Sequence, residues 1–226
     1  MEDQRKIEDE HRKNAKLEFK KASQDRKSIK ATSEQIATGE KLIELVKKDN
    51  YDKIFSVLNK LSLPNGCILE VEEPKIEGCG DISRLFVKKE TTPANYDYFK
   101  DIIVEDSTDG AWQAYLLYSL RHVLPVFWHG GYETRTYLFL KQDLKDLRTI
   151  IEEHQSVVTY LVNYDLISEI IKSSHNNKYY VTYSYWTDWG ELIRELIEIT
   201  IDKNKVVEVF EVDQMVKDEY KCLVHF

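Results

Sequence analysis

Glycine and proline are scarce in this chain, eight and four among 226 residues, which excludes long flexible linkers. Cysteine is scarcer still. Cys67, Cys79 and Cys222 form no C-x-x-C pair and no even-numbered framework, so free thiols in a reducing compartment are expected. No run reaches about 18 apolar residues, the minimum for a membrane span. The first residues, MEDQRKIEDEHRK, carry no apolar stretch behind their charges, so no secretory signal is expected and a cytoplasmic location is. The glycines build neither G-x-G-x-x-G nor G-x-x-x-x-G-K followed by Ser or Thr, so phosphate cradles of those kinds are missing and no cofactor is expected.

What the chain has is charge, unevenly placed. The net charge is −8, yet residues 1–35 hold ten Lys/Arg against eight Asp/Glu. The remaining 191 residues hold 22 against 32. An acidic body repels phosphate backbones and anionic headgroups, so neither nucleic acid nor membrane is an expected partner. It suits a basic protein, through electrostatic steering. Arg12, Lys13, Lys16, Lys20 and Lys21 are interleaved with acids that cancel their field, which favours a solvated helix face over a nucleic-acid contact.

Residues 1–31 read as a charged helix or arm, with i,i+4 pairs such as Glu8 to Arg12 and Asp9 to Lys13. Leu17 and Phe19 lie two apart and cannot share one helical face, so only a few contacts with the body are expected. A long polar helix of this kind also makes a homodimer an expectation. Residues 32–226 read as a single α+β domain. Thr32 with Gln35 has capping-box spacing for a second helix. Ile54, Val57, Leu58 and Leu61 predict a third after Asn50, ended by Pro64-Asn65-Gly66. Strands are expected near 67–72 and 84–89, and a short helix at Pro93 with Thr92 as its cap. Residues 110–124 are apolar nearly all round, from Trp112 to Leu124, which predicts a buried central helix. Beyond it, strands are expected at 134–140, 157–163, 167–173, 178–186, 192–201, 205–212 and 220–225, with a short helix after Asp143. Hairpin turns are expected at His175-Asn176-Asn177 and Asp202-Lys203-Asn204. The fold class is therefore α+β: N-terminal helices, then a largely antiparallel β-meander with one buried central helix.

Candidate chemistry is thin. His122, His129 and Glu133 are zinc-ligand types, but a spacing of seven across Pro125 and Gly130-Gly131 lacks the H-E-x-x-H geometry, and no metal is expected. Cys79 sits between glycines without a histidine base in a family-like signature. A carboxylate pair drawn from Glu133, Asp188 and Glu191 is a coincidence that forty acidic residues readily produce. The unusual segment is Tyr179–Gly190, where a strand would point Tyr179, Val181, Tyr183 and Tyr185 one way and Tyr180 and Trp186 the other. Such a sheet buries both faces, or it leaves Tyr180 and Trp186 as a recognition surface with Trp189 nearby.

These features rank three function classes. The leading one is a non-enzymatic protein-binding protein, such as a bacterial toxin-neutralising immunity-type protein, with an acidic, aromatic-rich surface. Its binding residues would be Trp128, His129, Tyr132, Glu133, Tyr180, Trp186, Asp188 and Trp189. The second is a hydrolase around His129, Glu133 and Asp188, which needs 127–133 and 186–191 to converge on one pocket. The third is a small-ligand or glycan binder using Tyr180, Trp186 and Trp189.

Overall fold

A computed structural model describes residues 2–25, 30–48, 50–72, 84–89, 92–95, 98–120, 135–138, 143, 146–147, 168–173, 177–187 and 191–219. The architecture is α+β. Helix α1 (Glu2–Asp25) leads, followed by α2 (Ser33–Lys47). The capping box forms as Thr32 and Gln35 predict: Gln35 N–H donates to Thr32 Oγ1 at 3.2 Å, and Thr32 N–H donates to Gln35 Oε1 at 2.9 Å.

The third helix is shorter than its apolar spacing implies. Asn50 makes no side-chain cap, and the chain forms a 3-10 turn at Tyr51–Lys53 and a single α turn, α3 (Ile54–Val57). Leu58 leaves helical geometry at ψ 63°, and Leu61 enters β1 (Leu61–Ser62), which pairs with β5 (Ile103–Val104). Ile54, Leu58 and Leu61 are all buried regardless. Their spacing recorded burial, and long-range pairing decided the backbone form. Gly66 then takes φ 77° in the turn before β2 (Cys67–Glu72), the left-handed region that glycine enters without a Cβ penalty.

A small antiparallel sheet runs β2-β3-β4, with β3 at Arg84–Lys89. Its third member corrects the helix expected at Pro93. Residues Thr92–Asn95 form β4, paired with β3 across a register shift between Val87 and Lys89. An irregular edge strand tolerates a proline that has no N–H to give the ladder.

The buried central helix is α4 (Thr108–Ser119), capped by Ser107, whose Oγ accepts from Gly110 N–H at 3.0 Å. Gly110 is required sterically. A Cβ there would lie 2.0 Å from the Glu105 carbonyl oxygen, a backbone atom that no rotamer change can move. Alanine gains about 1 kcal/mol of helix propensity over glycine, and overpacking of this kind costs about 1–3 kcal/mol or more. The clash wins, so Gly110→Ala should lower the melting temperature by up to roughly 8 °C, read by thermal unfolding followed by circular dichroism.

The large sheet is ordered β1-β5-β10-β9-β8-β6, with β7 (Glu169–Lys172) also on β8. Strands β6 (Arg135–Leu138) and β7 share one edge of β8 (Lys178–Thr187), pairing with its two halves. Strands β7 to β10 form the expected antiparallel meander, β9 at Glu191–Asp202 and β10 at Lys205–Glu219. The β9–β10 turn places Lys203 and Asn204 at φ 48° and 63°, between the paired Asp202 and Lys205. The expected strands at 157–163 and 220–225, and His175-Asn176, lie outside the described residues.

One face of the sheet, the inner one, meets α4 through Tyr179, Val181, Tyr183, Tyr185, Ile193, Ile197 and Ile199, and α2 and α3 complete this core. The outer face is covered by α1, through a second cluster of Ala15, Tyr180, Leu196 and Val212 with Phe19 and Phe210 against it. No described helix is long and apolar enough to cross a membrane.

Candidate functional site

Six of the eight residues expected to bind, Trp128, His129, Tyr132, Glu133, Asp188 and Trp189, lie outside the described residues, as do His122 and Cys79. The other two correct the expectation of an exposed aromatic face. Tyr180 is 0% and Trp186 6% exposed. Tyr180 is closed off by α1: its hydroxyl donates to Glu18 at 2.8 Å, and Phe19 meets its ring edge-on at 6.0 Å between centroids. The Arg135↔Thr187 pairing makes the start of β6 and the end of β8 neighbours. The strand ends adjoining the two suspected turns are therefore on one side of the sheet.

Beneath that end lies a buried polar cluster. The register sets Tyr183, Glu195 and Gln214 in one cross-strand row of the inner face and Tyr137, Tyr185 and Ile193 in the next. Arg135 Nη1 donates to both oxygens of Glu195, at 3.2 and 3.1 Å, and its guanidinium carbon stands 4.1 Å from the Tyr185 ring centre. Tyr183 donates to Glu195 at 3.1 Å, Tyr137 donates to the Ser119 carbonyl at 3.0 Å, and Gln214 donates to Tyr185. From α4, Tyr115 packs against Tyr183 at 4.6 Å between ring centres. Burial drives the hydroxyls of Tyr115, Tyr183 and Tyr185 above their ordinary value and that of Tyr137 to about 12, so all four stay neutral, and the Tyr115 hydroxyl has no hydrogen-bond partner among the described residues. Burial also raises the Glu195 carboxyl, and Arg135 draws it back only in part. Burial opposes the Arg135 charge, but the oxygens of Tyr183 and Glu195 that face it outweigh burial and its pKa rises. The cation is answered by Glu195 and by an aromatic face, while the hydroxyls of Tyr115 and Ser119 at the cluster's edge are buried with no partner among the described residues. One sequence signal pointed here. Glu195 is the charged residue in an otherwise aliphatic alternation, Ile193, Ile197, Ile199 and Ile201.

A second polar layer lies between α1 and the outer face. Glu198, 1% exposed, accepts at one oxygen from Lys178 at 3.0 Å and lies 3.0 Å from His11 Nε2. Lys16 pairs with Asp213 at 2.8 Å, and Arg12 stands 5.8 Å over the Phe210 ring. The second Glu198 oxygen and the hydroxyls of Ser23, Thr182 and Thr200 are buried with no hydrogen-bond partner among the described residues. Each such group costs about 1–3 kcal/mol, so this contact is weaker than its buried area implies.

The third place is an open groove of about 270 Å³ between α2, the α3–β1 link and α4. Its floor is rigid. Trp112 Nε1 donates to the Gln35 carbonyl at 2.8 Å, Gln35 Nε2 to Asp109 at 2.7 Å, and Lys60 N–H to Gln113 Oε1 at 2.7 Å. At the rim Lys60 pairs with Glu105 at 2.9 Å. Its ammonium is held above the usual range by the hydrogen bond and charge of Glu105, and further by Asp109 and Glu34. Glu105 pairs with this lysine directly, Glu34 and Asp109 from the first turns of α2 and α4 add to the field, and Lys41 is a second lysine lining the groove. No protein-family model, curated protein or solved structure matches this chain.

Proposed function

We propose that the chain is a non-enzymatic protein-binding protein of the toxin-neutralising, immunity type, and that its partner is basic. The observation that carries this is the negative field at the groove's edge, where Glu105 pairs with Lys60 and Glu34 and Asp109 add to it above a hydrogen-bonded floor, with Lys41 also lining the groove. A cationic side chain entering there meets exposed carboxylates, of which Asp109 is already held in place by Gln35. The excess of acids beyond residue 35 extends the same field and steers a basic partner toward the body.

The test is capture of the partner from the native host on the immobilised full chain, then association kinetics with the purified partner. Raising salt from about 0.05 to about 0.5 M should slow association about tenfold or more, because screening shortens the reach of exposed charge. Glu34→Lys should slow it at low salt alone. Equal rates at both salts, or a partner without basic character, would overturn the electrostatic assignment. A second reading, a hydrolase, keeps one supporting observation. The Arg135↔Thr187 pairing brings together the strand ends that adjoin His129-Glu133 and Asp188 in sequence.

A further inference from the structure

We infer that the outer face of β8–β10 is a helix-docking surface, that α1 is its resident occupant, and that a cationic amphipathic helix of a protein partner takes the place of α1. The face has the features of a helix receptor. Tyr180, Leu196 and Val212 are buried on it, Phe210 stands half-buried beside them, and Ala15 is the small residue that α1 buries against them. Its acids meet cations of α1: Asp213 meets Lys16, and Glu198, which also pairs with Lys178 of the same face, meets His11, while the Phe210 ring meets Arg12. These contacts, with Phe19 on Tyr180, recur at positions 11, 15 and 19, one helical face.

The occupant is held by few apolar groups. Residues 4–10 of α1 are exposed, with Ile7 at 67%, so the first turns of the helix contribute little to docking. Four buried oxygens in the layer, on Ser23, Thr182, Glu198 and Thr200, have no partner among the described residues. A polar, sparsely packed cover over an aromatic and acidic face is the element that local opening releases first. A partner helix that supplies donors to the three of these on the sheet, on Thr182, Glu198 and Thr200, gains differential affinity for the open state, which is what shifts such an equilibrium.

The partner's nature rests on the protein-binding reading. The test needs no natural partner, so its failure leaves the salt-dependence experiment standing. The probe is a fluorescently labelled, designed lysine-rich helix that keeps only an alanine and a phenylalanine four residues apart, titrated into the full chain. Ala15→Glu drives a carboxylate into the contact and frees the face. That variant should bind the probe at least about tenfold more tightly than the wild type, since the competent fraction rises. Adding Leu196→Lys should abolish the gain. Phe19→Ala, a milder release, should give a smaller gain and serves if Ala15→Glu does not fold. Absence of binding by a released variant that keeps its sheet signal in circular dichroism overturns the inference. So does unchanged binding after Leu196→Lys. Uptake of a peptide of residues 2–25 but never of the designed helix would also overturn it, by assigning the face to this chain's own helix alone.

Discussion

Arg135→Ala should destabilise the protein by about 3–5 kcal/mol, because it leaves the Glu195 carboxylate buried and unpaired. At this chain length that is a fall of roughly 6–20 °C in melting temperature. Glu195 is only 2% exposed in side-chain area, so water cannot replace the lost guanidinium. The sign of the pH dependence follows from the direction of its shift. The folded carboxyl binds its proton more tightly than the unfolded one, whose ordinary value is 4.5. Ionisation therefore opposes folding. The penalty is absent below that value and grows as pH rises through the folded value. The deficit of Arg135→Ala against wild type should accordingly shrink on acidification toward about pH 4. Replacing both partners, Arg135→Met with Glu195→Leu, should recover most of the loss, since a buried ion pair exchanged for apolar groups is often neutral or stabilising. Urea unfolding at two pH values checks all three outcomes. A single mutant as stable as wild type would mean that the pair is not buried as described.

Trp112→Ala should cost a similar amount, about 3–5 kcal/mol. Trp112 is fully buried on α4 and packs against Tyr115, 5.8 Å between ring centres. Alanine removes the largest side chain of the helix and opens a cavity in the core that α4 shares with α2. Trp112→Phe separates the two contributions. It keeps most of the apolar area but removes the indole N–H that donates to the Gln35 carbonyl, a loss of about 1–3 kcal/mol when the carbonyl stays buried. The groove floor depends on that same bond through Gln35 and Asp109. Trp112→Phe should therefore weaken partner binding while the chain remains folded, and calorimetric binding measurements on the folded variant distinguish this from loss of stability.

Much of the local structure was legible in residue order, for local reasons. Thr32 and Gln35 announce α2 because a capping box closes within four residues. The apolar run from Trp112 announces a buried helix because no polar face is left to solvate. Asn204 announces a hairpin because asparagine enters left-handed geometry readily, and Lys203 follows it there because the two-residue turn requires it. Where competing signals had equal local strength, the residues misled. Leu61 fits a helical stripe, yet it forms a strand because β5 offers it a ladder. Pro93 fits a helix start, yet it lies in β4, paired to β3.

The sequence by itself determined the start of α2, the meander, the alternation of β8 and the concentration of acid beyond residue 35. Each is a property of neighbours in the chain, governed by backbone geometry, period or composition. Only the tertiary structure decided which partners these residues met. Arg135 and Glu195 lie 60 positions apart, and His11 and Glu198 lie 187 apart. Strand register brings the first pair together, and the docking of α1 brings the second. The stripe by which α1 docks, His11, Ala15, Glu18 and Phe19, is not apolar enough to declare itself, since its affinity lies in charges and a ring supplied by the sheet. For that reason Tyr180, half of an expected recognition surface, is hidden: a helix that reads as solvated in one dimension is the cover in three.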